Sequence, residues 1–242
     1  MKINEKLRAE FPFFNSNKRE KNIVYFDNAA TTQKPKAVID AITDYYSIYN
    51  SNVHRGEHHT SNLSTERYEK TRTKIKNYLN AKFIEEIIFT SGTTQSINLV
   101  AQCFVDKFLE AGDEILINSL EHHANIVPWQ LACSRTGVKL KEVDLNNDGR
   151  ICLSGLKKSI TKKTKLIVFQ HTSNITGSNN DVKEIINICK KANIYSFIDG
   201  AQAIAHENIN LQDLDCDFFC FSGHKFFGPT GTGVLYGKRK LL

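Results

Sequence analysis

Residues 166–199 read Leu166-Ile-Val-Phe-Gln170, then a polar stretch to Asn180, then a segment from Asp181 to Ala192, and finally Ile194-Tyr-Ser-Phe-Ile198 followed by Asp199. The two short runs, apolar and rich in β-branched and aromatic residues, read as buried strands. Between them Val182, Ile185, Ile186 and Cys189 recur at helical spacing, so one face of that segment is apolar. The unit is strand–helix–strand, which builds a parallel sheet covered by helices.

The same alternation extends in both directions. Upstream, Glu86–Thr90 reads as a strand, Thr93–Leu109 as a helix ending near Gly112, Glu114–Asn118 as a strand, Asn125–Ser134 as a helix, Leu140–Leu145 as a strand and Leu156–Ile160 as a short helix. Downstream, Asp217–Phe221 and Gly233–Tyr236 read as strands. The expected fold class is α/β, a mostly parallel sheet with helices on both faces. Before residue 80 the pattern differs: a loop at Asp27-Asn-Ala-Ala-Thr-Thr32, a helix opened by Pro35, and a charged helix from Ser64 to Leu79. Residues 1–80 are therefore expected to form an N-terminal segment packed on a large domain at 81–242.

Composition removes several function classes. The 242 residues are 40% hydrophobic and 24% charged, an ordinary globular balance that excludes a disordered chain, a collagen or a coiled-coil rod. Thirty-two basic against 26 acidic residues leave a charge of +6. The basic clusters at Lys157–Lys158, Lys162–Lys165 and Lys238–Lys240 have no aromatic residues interleaved, which argues against nucleic acid. No apolar run is long enough to cross a bilayer, and the charged stretch Met1–Glu10 has no signal core. A cytoplasmic protein without membrane contact is expected. The six cysteines form no CxxC pair and read as core thiols rather than a disulfide framework. His54, His58 and His59 lack a metal motif around them, and Gly231–Lys238 fits neither the dinucleotide fingerprint nor the P-loop.

In open α/β sheets ligands gather where strands end. After Phe89 comes Thr90-Ser-Gly-Thr-Thr94, opening a helix; this is an anion site or a plain helix cap. After Ile117 come Glu121, His122 and His123, where a histidine could stack on a flat ring or shuttle a proton, or lie on the surface. After Gln170 come His171–Asn174, whose amide could hold a ligand oxygen or simply make a turn. Asp199, following an apolar strand, is expected to be partly buried and to need a cationic partner, either a structural ion pair or a ligand cation. After Phe221 comes Ser222-Gly-His-Lys225. A lysine among aromatics invites a lowered amine pKa and Schiff-base chemistry, against the commoner solvated lysine. Five of the 13 glycines lie between Gly223 and Gly237, so the backbone there bends tightly.

Taken jointly these positions describe one ligand, a flat heteroaromatic ring bearing a phosphate, an aldehyde and a basic nitrogen. Thr94 and Ser222 would hold phosphate, His122 cover the ring, Asp199 pair with the ring nitrogen, Gln202 touch the phenolic oxygen and Lys225 form the imine. That ligand is pyridoxal 5′-phosphate.

The segments Phe26-Asp-Asn-Ala-Ala-Thr-Thr-Gln-Lys-Pro35, Asn52-Val-His-Arg-Gly56, Phe89–Thr94, Glu121-His-His-Ala-Asn-Ile-Val-Pro-Trp-Gln130, Ile198–Gln202, Phe221–Lys225 and Gly228-Pro-Thr-Gly231 together resemble the class V aminotransferases of fold-type I. Within them the chain is most similar to Suf-type cysteine desulfurases, and the Glu121–Gln130 block favours that group over the NifS/IscS type. The resemblance spans essentially the whole chain. It implies a fold-type I large domain at 81–242, with Lys225 as Schiff-base lysine and His122 stacked on the ring. Thr93, Thr94, Ser222 and His224 would lie around the phosphate, with Asp199 and Gln202 on the ring. Asn174 would sit beside the imine and the substrate carboxylate. Ala29, Ala30, His54 and Arg55 would approach substrate, the last two reaching a partner subunit's site. The implied reaction takes sulfur from L-cysteine to give L-alanine and a persulfide for iron–sulfur cluster assembly, or acts on selenocysteine. The implied partners are a second copy in a homodimer and a sulfur-acceptor or scaffold protein. Relatives continue into a C-terminal small domain carrying the sulfur-accepting cysteine. The expectation is therefore a truncated chain lacking that domain, with impaired turnover. The rival expectations are another class V enzyme and a non-catalytic binding or dimerisation remnant.

Overall fold

A computed structural model describes residues 5–15 and 23–242. Part of the charged N-terminus, residues 1–4, lies outside the described residues. The helices are α1 (Glu5–Ala9), α2 (Lys36–Asp44), α3 (His59–Tyr78), α4 (Thr93–Phe108), α5 (Val127–Thr136), α6 (Leu153–Ser159), α7 (Val182–Ala192) and α8 (Leu211–Leu214). The strands are β1 (Ile87–Thr90), β2 (Glu114–Ile117), β3 (Lys139–Glu142), β4 (Thr164–Gln170), β5 (Tyr195–Asp199), β6 (Phe218–Ser222) and β7 (Gly233–Gly237). They form one seven-stranded sheet in the order β1-β7-β6-β5-β4-β2-β3.

Strands β2, β3, β4, β5 and β6 pair in parallel, while β7 runs antiparallel to both β6 and β1. Because β1 is antiparallel to an antiparallel strand, it points the same way as the parallel set. The carboxyl ends of β1, β2, β4, β5 and β6 therefore share one edge of the sheet.

Alternation along the strands distributes the core over two faces. In β6, Phe219 and Phe221 join one apolar cluster and Phe218 and Cys220 the other; in β5, Ile198 and Phe197 divide likewise. Each such aromatic side chain, removed from water, stabilises the fold by roughly 1.5–3 kcal/mol. Helix α7 buries Val182, Ile185, Ile186 and Cys189, the stripe read from the sequence. Asp181 caps it by accepting the Glu184 N–H at 3.2 Å, and Asn193 ends it in the left-handed conformation.

Three boundaries differ from the sequence reading by three residues or more. Helix α3 begins at His59 rather than Ser64, because the His58 side chain accepts the Ser61 N–H and serves as cap. Strand β3 stops at Glu142, leaving Leu145 in an isolated bridge with Ile151. Helix α6 starts earlier, at Leu153, where Cys152 caps it. Of the cysteines, Cys133, Cys189, Cys216 and Cys220 are buried, whereas Cys103 is exposed and Cys152 half-buried. No described helix is long and apolar enough to cross a membrane.

Candidate active site

A cavity of about 510 Å³ opens at the shared carboxyl edge of the sheet, within the roughly 300–1,000 Å³ typical of small-molecule sites. The strands at the middle of that edge, and helix α4 after β1, contribute to it. Thr93 and Thr94 come from the start of α4, His122 from the loop after β2, Asn174 from the loop after β4, and Asp199 and Gln202 from the end of β5. Ser222, His224 and Lys225 follow along β6 and its turn, and Ala29 and Ala30 lean in from the loop before α2. Of the residues to which the resemblance gives a role, only His54 and Arg55 do not line the cavity. Both are exposed, with His54 at φ 74° and its Nε2 2.9 Å from Glu69 Oε1.

The first wall gathers hydroxyls at a helix N-terminus, the chemistry of an anion cradle. The Thr93 N–H donates to Ser222 Oγ at 2.8 Å, and the Thr93 and Ser222 hydroxyls are also 2.8 Å apart. Gly92, at φ 152°, turns the chain from β1 into the 16-residue α4. The β7 backbone passes so close that a Cβ on Gly233 would lie 2.4 Å from the Gly92 Cα. Glycine at 233 is therefore a condition for this turn to sit on the sheet edge. Free N–H groups and the helix dipole at such an end favour a phosphate.

The opposite wall carries the titratable groups. Asp199 is buried, and burial pushes its carboxyl above the usual range. The Ala201 N–H at 2.8 Å, then Lys225, then His122, pull it back. Lys225 responds in the other sense: burial lowers its amine and the Asp199 charge raises it, with a net lowering. The lowered pKa expected from its aromatic surroundings is thus present, with desolvation as the larger cause. His224 is held low by burial and by the cations of Lys225 and Lys34. His122 Nδ1 accepts the Ala124 N–H at 3.1 Å, which puts the proton of the neutral ring on Nε2. The Gln202 amide donates to Ala29 O at 2.8 Å and ties the N-terminal loop to the rim. Among the described residues, Asn174 Oδ1 is buried without a hydrogen-bond partner, an arrangement that points to a ligand donor.

The sequence reading did not single out Asp27, Gln170 and Thr172, which also line the cavity. Two of them carried a signal: Asp27 opens the Asp-Asn-Ala-Ala-Thr-Thr loop, and Gln170 closes a strand. Behind them lies a buried polar knot. Glu121 accepts the Gln170 N–H at 2.9 Å, the Asn125 amide at 2.7 Å and the Asn118 amide. Trp129 Nε1 donates to Asn125 Oδ1 at 3.1 Å, so the Asn125 amide hydrogens face Glu121. Burial pushes the Glu121 carboxyl up to about 8, against the pull of these three donors.

Comparison with known proteins places this geometry in a family. The sequence pattern of the Aminotransferase class-V family matches residues 24–242. A probable cysteine desulfurase of Halalkalibacterium halodurans is 48% identical over 98% of this chain and 58% of its own length. A cysteine desulfurase of Synechococcus elongatus is 45% identical over 98% of this chain and 38% of its own. Among solved structures, the cysteine desulfurase CsdA of Escherichia coli, in its S-sulfonic acid form, superposes with a TM-score of 0.89 at 40% identity. That match covers 100% of this chain and 59% of CsdA. The apo cysteine desulfurase of Thermococcus onnurineus gives 0.90 at 38% identity, over 99% and 58%. The chain thus spans between 38% and 59% of the length of these relatives. Matched over nearly all of its own residues in sequence, and over the whole sheet in three dimensions, the chain belongs to the aminotransferase class-V family of pyridoxal 5′-phosphate enzymes.

Proposed function

We propose that this chain carries the cofactor-binding part of a cysteine desulfurase, of the Suf-type group. Residues 81–242 form that domain, and the described residues of the segment before it pack on it. One observation carries the reading: a single cavity brings a burial-lowered lysine, a buried acid, a histidine and a hydroxyl-lined helix N-terminus to one sheet edge. The residues present fit pyridoxal 5′-phosphate. The Thr93–Ser222 cradle suits a phosphate, Asp199 suits a ring cation, and the unpartnered Asn174 Oδ1 suits a ligand donor. When bound, the cofactor supplies an aldehyde for amines and a ring that draws electrons from the substrate carbon.

The chain's own residues divide the work. Thr93, Thr94, Ser222 and His224 hold the phosphate end, and Gln202 the phenolic oxygen. The Asp199 carboxylate keeps a proton on the ring nitrogen, since an anion in a desolvated site favours a cation beside it. His122 covers the ring face and can move a proton at Nε2. Lys225, whose amine burial lowers below the ordinary lysine range, would hold the cofactor's aldehyde and carry the proton at the substrate's α-carbon. Ala29, Ala30 and Asn174 border the substrate. The net change converts L-cysteine and an acceptor thiol into L-alanine and the thiol's persulfide, so atoms balance. Selenocysteine would follow the same course. The proposal extends to a homodimer, in which the exposed His54 and Arg55 could serve a partner's site, to a sulfur-acceptor protein of iron–sulfur assembly, and to a cytoplasmic setting. These extensions are supported by the motif resemblance.

The test is a visible spectrum of the purified chain after adding pyridoxal 5′-phosphate, beside Lys225→Ala. The expected result is a yellow band in the parent, bleached by borohydride and lacking in the variant. Equal spectra for parent and variant would remove Lys225 from its role.

A further inference from the structure

The loop before α2 does more than border the cavity. Thr32 is buried, although it stands 192 residues before His224. Its N–H donates to His224 O at 2.9 Å and its hydroxyl donates to the same oxygen at 3.0 Å. That hydroxyl also accepts the Phe227 N–H at 2.9 Å. One side chain therefore grips the backbone on both sides of Lys225. Thr31 Oγ1 at 3.2 Å and Lys34 Nζ at 3.1 Å add further donors to His224 O.

The gripped segment would not hold this shape unaided. Gly223–Lys225 is a single short turn, closed by the Phe226 and Gly228 N–H groups donating to Gly223 O at 2.9 Å. Phe227 sits at φ 59°, a region that a bulky residue adopts only when its surroundings impose it. The bond from its N–H to Thr32 is one such imposition. Meanwhile, among the described residues, Lys225 Nζ itself makes no hydrogen bond or ion pair, so the backbone is held while the amine stays available.

We propose that Thr32 is a positioning residue for Lys225, stapling the chain before and after the lysine so that its amine is presented into the cavity. The catalytic meaning of the staple rests on the reading of Lys225 as the cofactor-binding lysine; the staple itself rests on geometry. Asp199 from β5 acts directly on the amine, His122 from the loop after β2 acts on Asp199, and the amine and Lys34 both act on His224. A Thr32 variant substitutes none of these residues.

The test compares the parent with Thr32→Val, which keeps the shape and removes the hydroxyl, and Thr32→Ser, which restores it. In a first arm without cofactor, lysines are reductively methylated with ¹³C and the Lys225 signal, assigned through Lys225→Arg, is titrated by NMR. In a second arm, borohydride trapping of pyridoxal 5′-phosphate on Lys225 is timed by mass spectrometry. Thr32→Val should let the amine swing toward water, so its titration rises toward that of an ordinary lysine. Its trapping should slow on the order of tenfold, as expected for a misplaced reacting group. Thr32→Ser should return both readouts to the parent's. Thr32→Val titrating and trapping as the parent does would overturn the proposal. So would equal losses in Thr32→Val and Thr32→Ser accompanied by a fall in melting temperature, which would mark a merely structural threonine. A parent in which Lys225 is never trapped would sink the cofactor reading alone, and the titration arm would still decide the staple.

Discussion

Ser222 and Thr93 stand 129 residues apart and meet twice at 2.8 Å, once through the Thr93 N–H and once through the two hydroxyls. The contact joins the end of β6 to the first turn of α4. It places a hydroxyl where the helix's free N–H groups point, and it binds the turn that leads to Lys225 to the same cradle.

Ser222→Ala leaves the Thr93 N–H buried without its acceptor, at a cost of about 1–3 kcal/mol in stability. It also removes one donor to a phosphate, worth about five- to tenfold in affinity. Thermal melts and a spectroscopic titration with pyridoxal 5′-phosphate measure the two losses separately. A variant that matches the parent in both would show that the cradle lies elsewhere.

Gly233→Ala drives a methyl group to within 2.4 Å of the Gly92 Cα, backbone against backbone. Overpacking of this kind costs about 1–3 kcal/mol. Because Gly92 precedes the cradle, cofactor affinity should fall together with stability. Retained affinity with lowered stability would mean that the turn shifts as a rigid unit.

Glu121 predicts a pH dependence. Its folded pKa, about 8, lies above the ordinary 4.5, so the folded state binds this proton more tightly. The associated stability is fully present below about pH 4.5 and is lost as pH rises toward 8. Asp199, also raised by burial, acts with the same sign, while half-buried His171, whose pKa desolvation lowers, acts with the opposite sign. The difference between the parent and Glu121→Gln isolates the Glu121 part. Melting temperatures between pH 5 and 8 should fall more steeply for the parent. Parallel curves would place the Glu121 pKa outside that window.

No cysteine of this chain lines the cavity. Under the proposed reaction, sulfur must therefore leave on a thiol that reaches the cavity from elsewhere. Alanine formation from cysteine by the cofactor-loaded chain should rise with added dithiothreitol, above the level that the substrate's own thiol supports. Formation independent of the thiol would instead require Cys103 or Cys152, the two cysteines not buried, to reach the site.

Much of the site was legible because the chemistry sits at strand ends, and strand ends are readable. β4, β5 and β6 declare themselves as apolar runs, and Asn174, Asp199 and Lys225 stand at or just past their ends. The start of α3 was not legible, since a histidine cap carries little statistical signal. Nor was the role of Glu121, whose partners come from the ends of β2 and β4 and from the start of α5.

By itself, then, the sequence determined the succession of strands and helices, the residues waiting at each strand's end, and the cofactor those residues jointly suit. These follow from local periodicity and turn chemistry, which act over a few residues. Only the tertiary structure decided that β1 lies at the far edge beside β7, reversed twice and so aligned with the parallel strands. It alone also decided that Ser222 meets Thr93, that Thr32 straddles Lys225, and that His54 and Arg55 stay outside the cavity within one chain. Such meetings depend on strand order and on packing between segments more than a hundred residues apart, and no local pattern encodes the order in which strands are laid side by side.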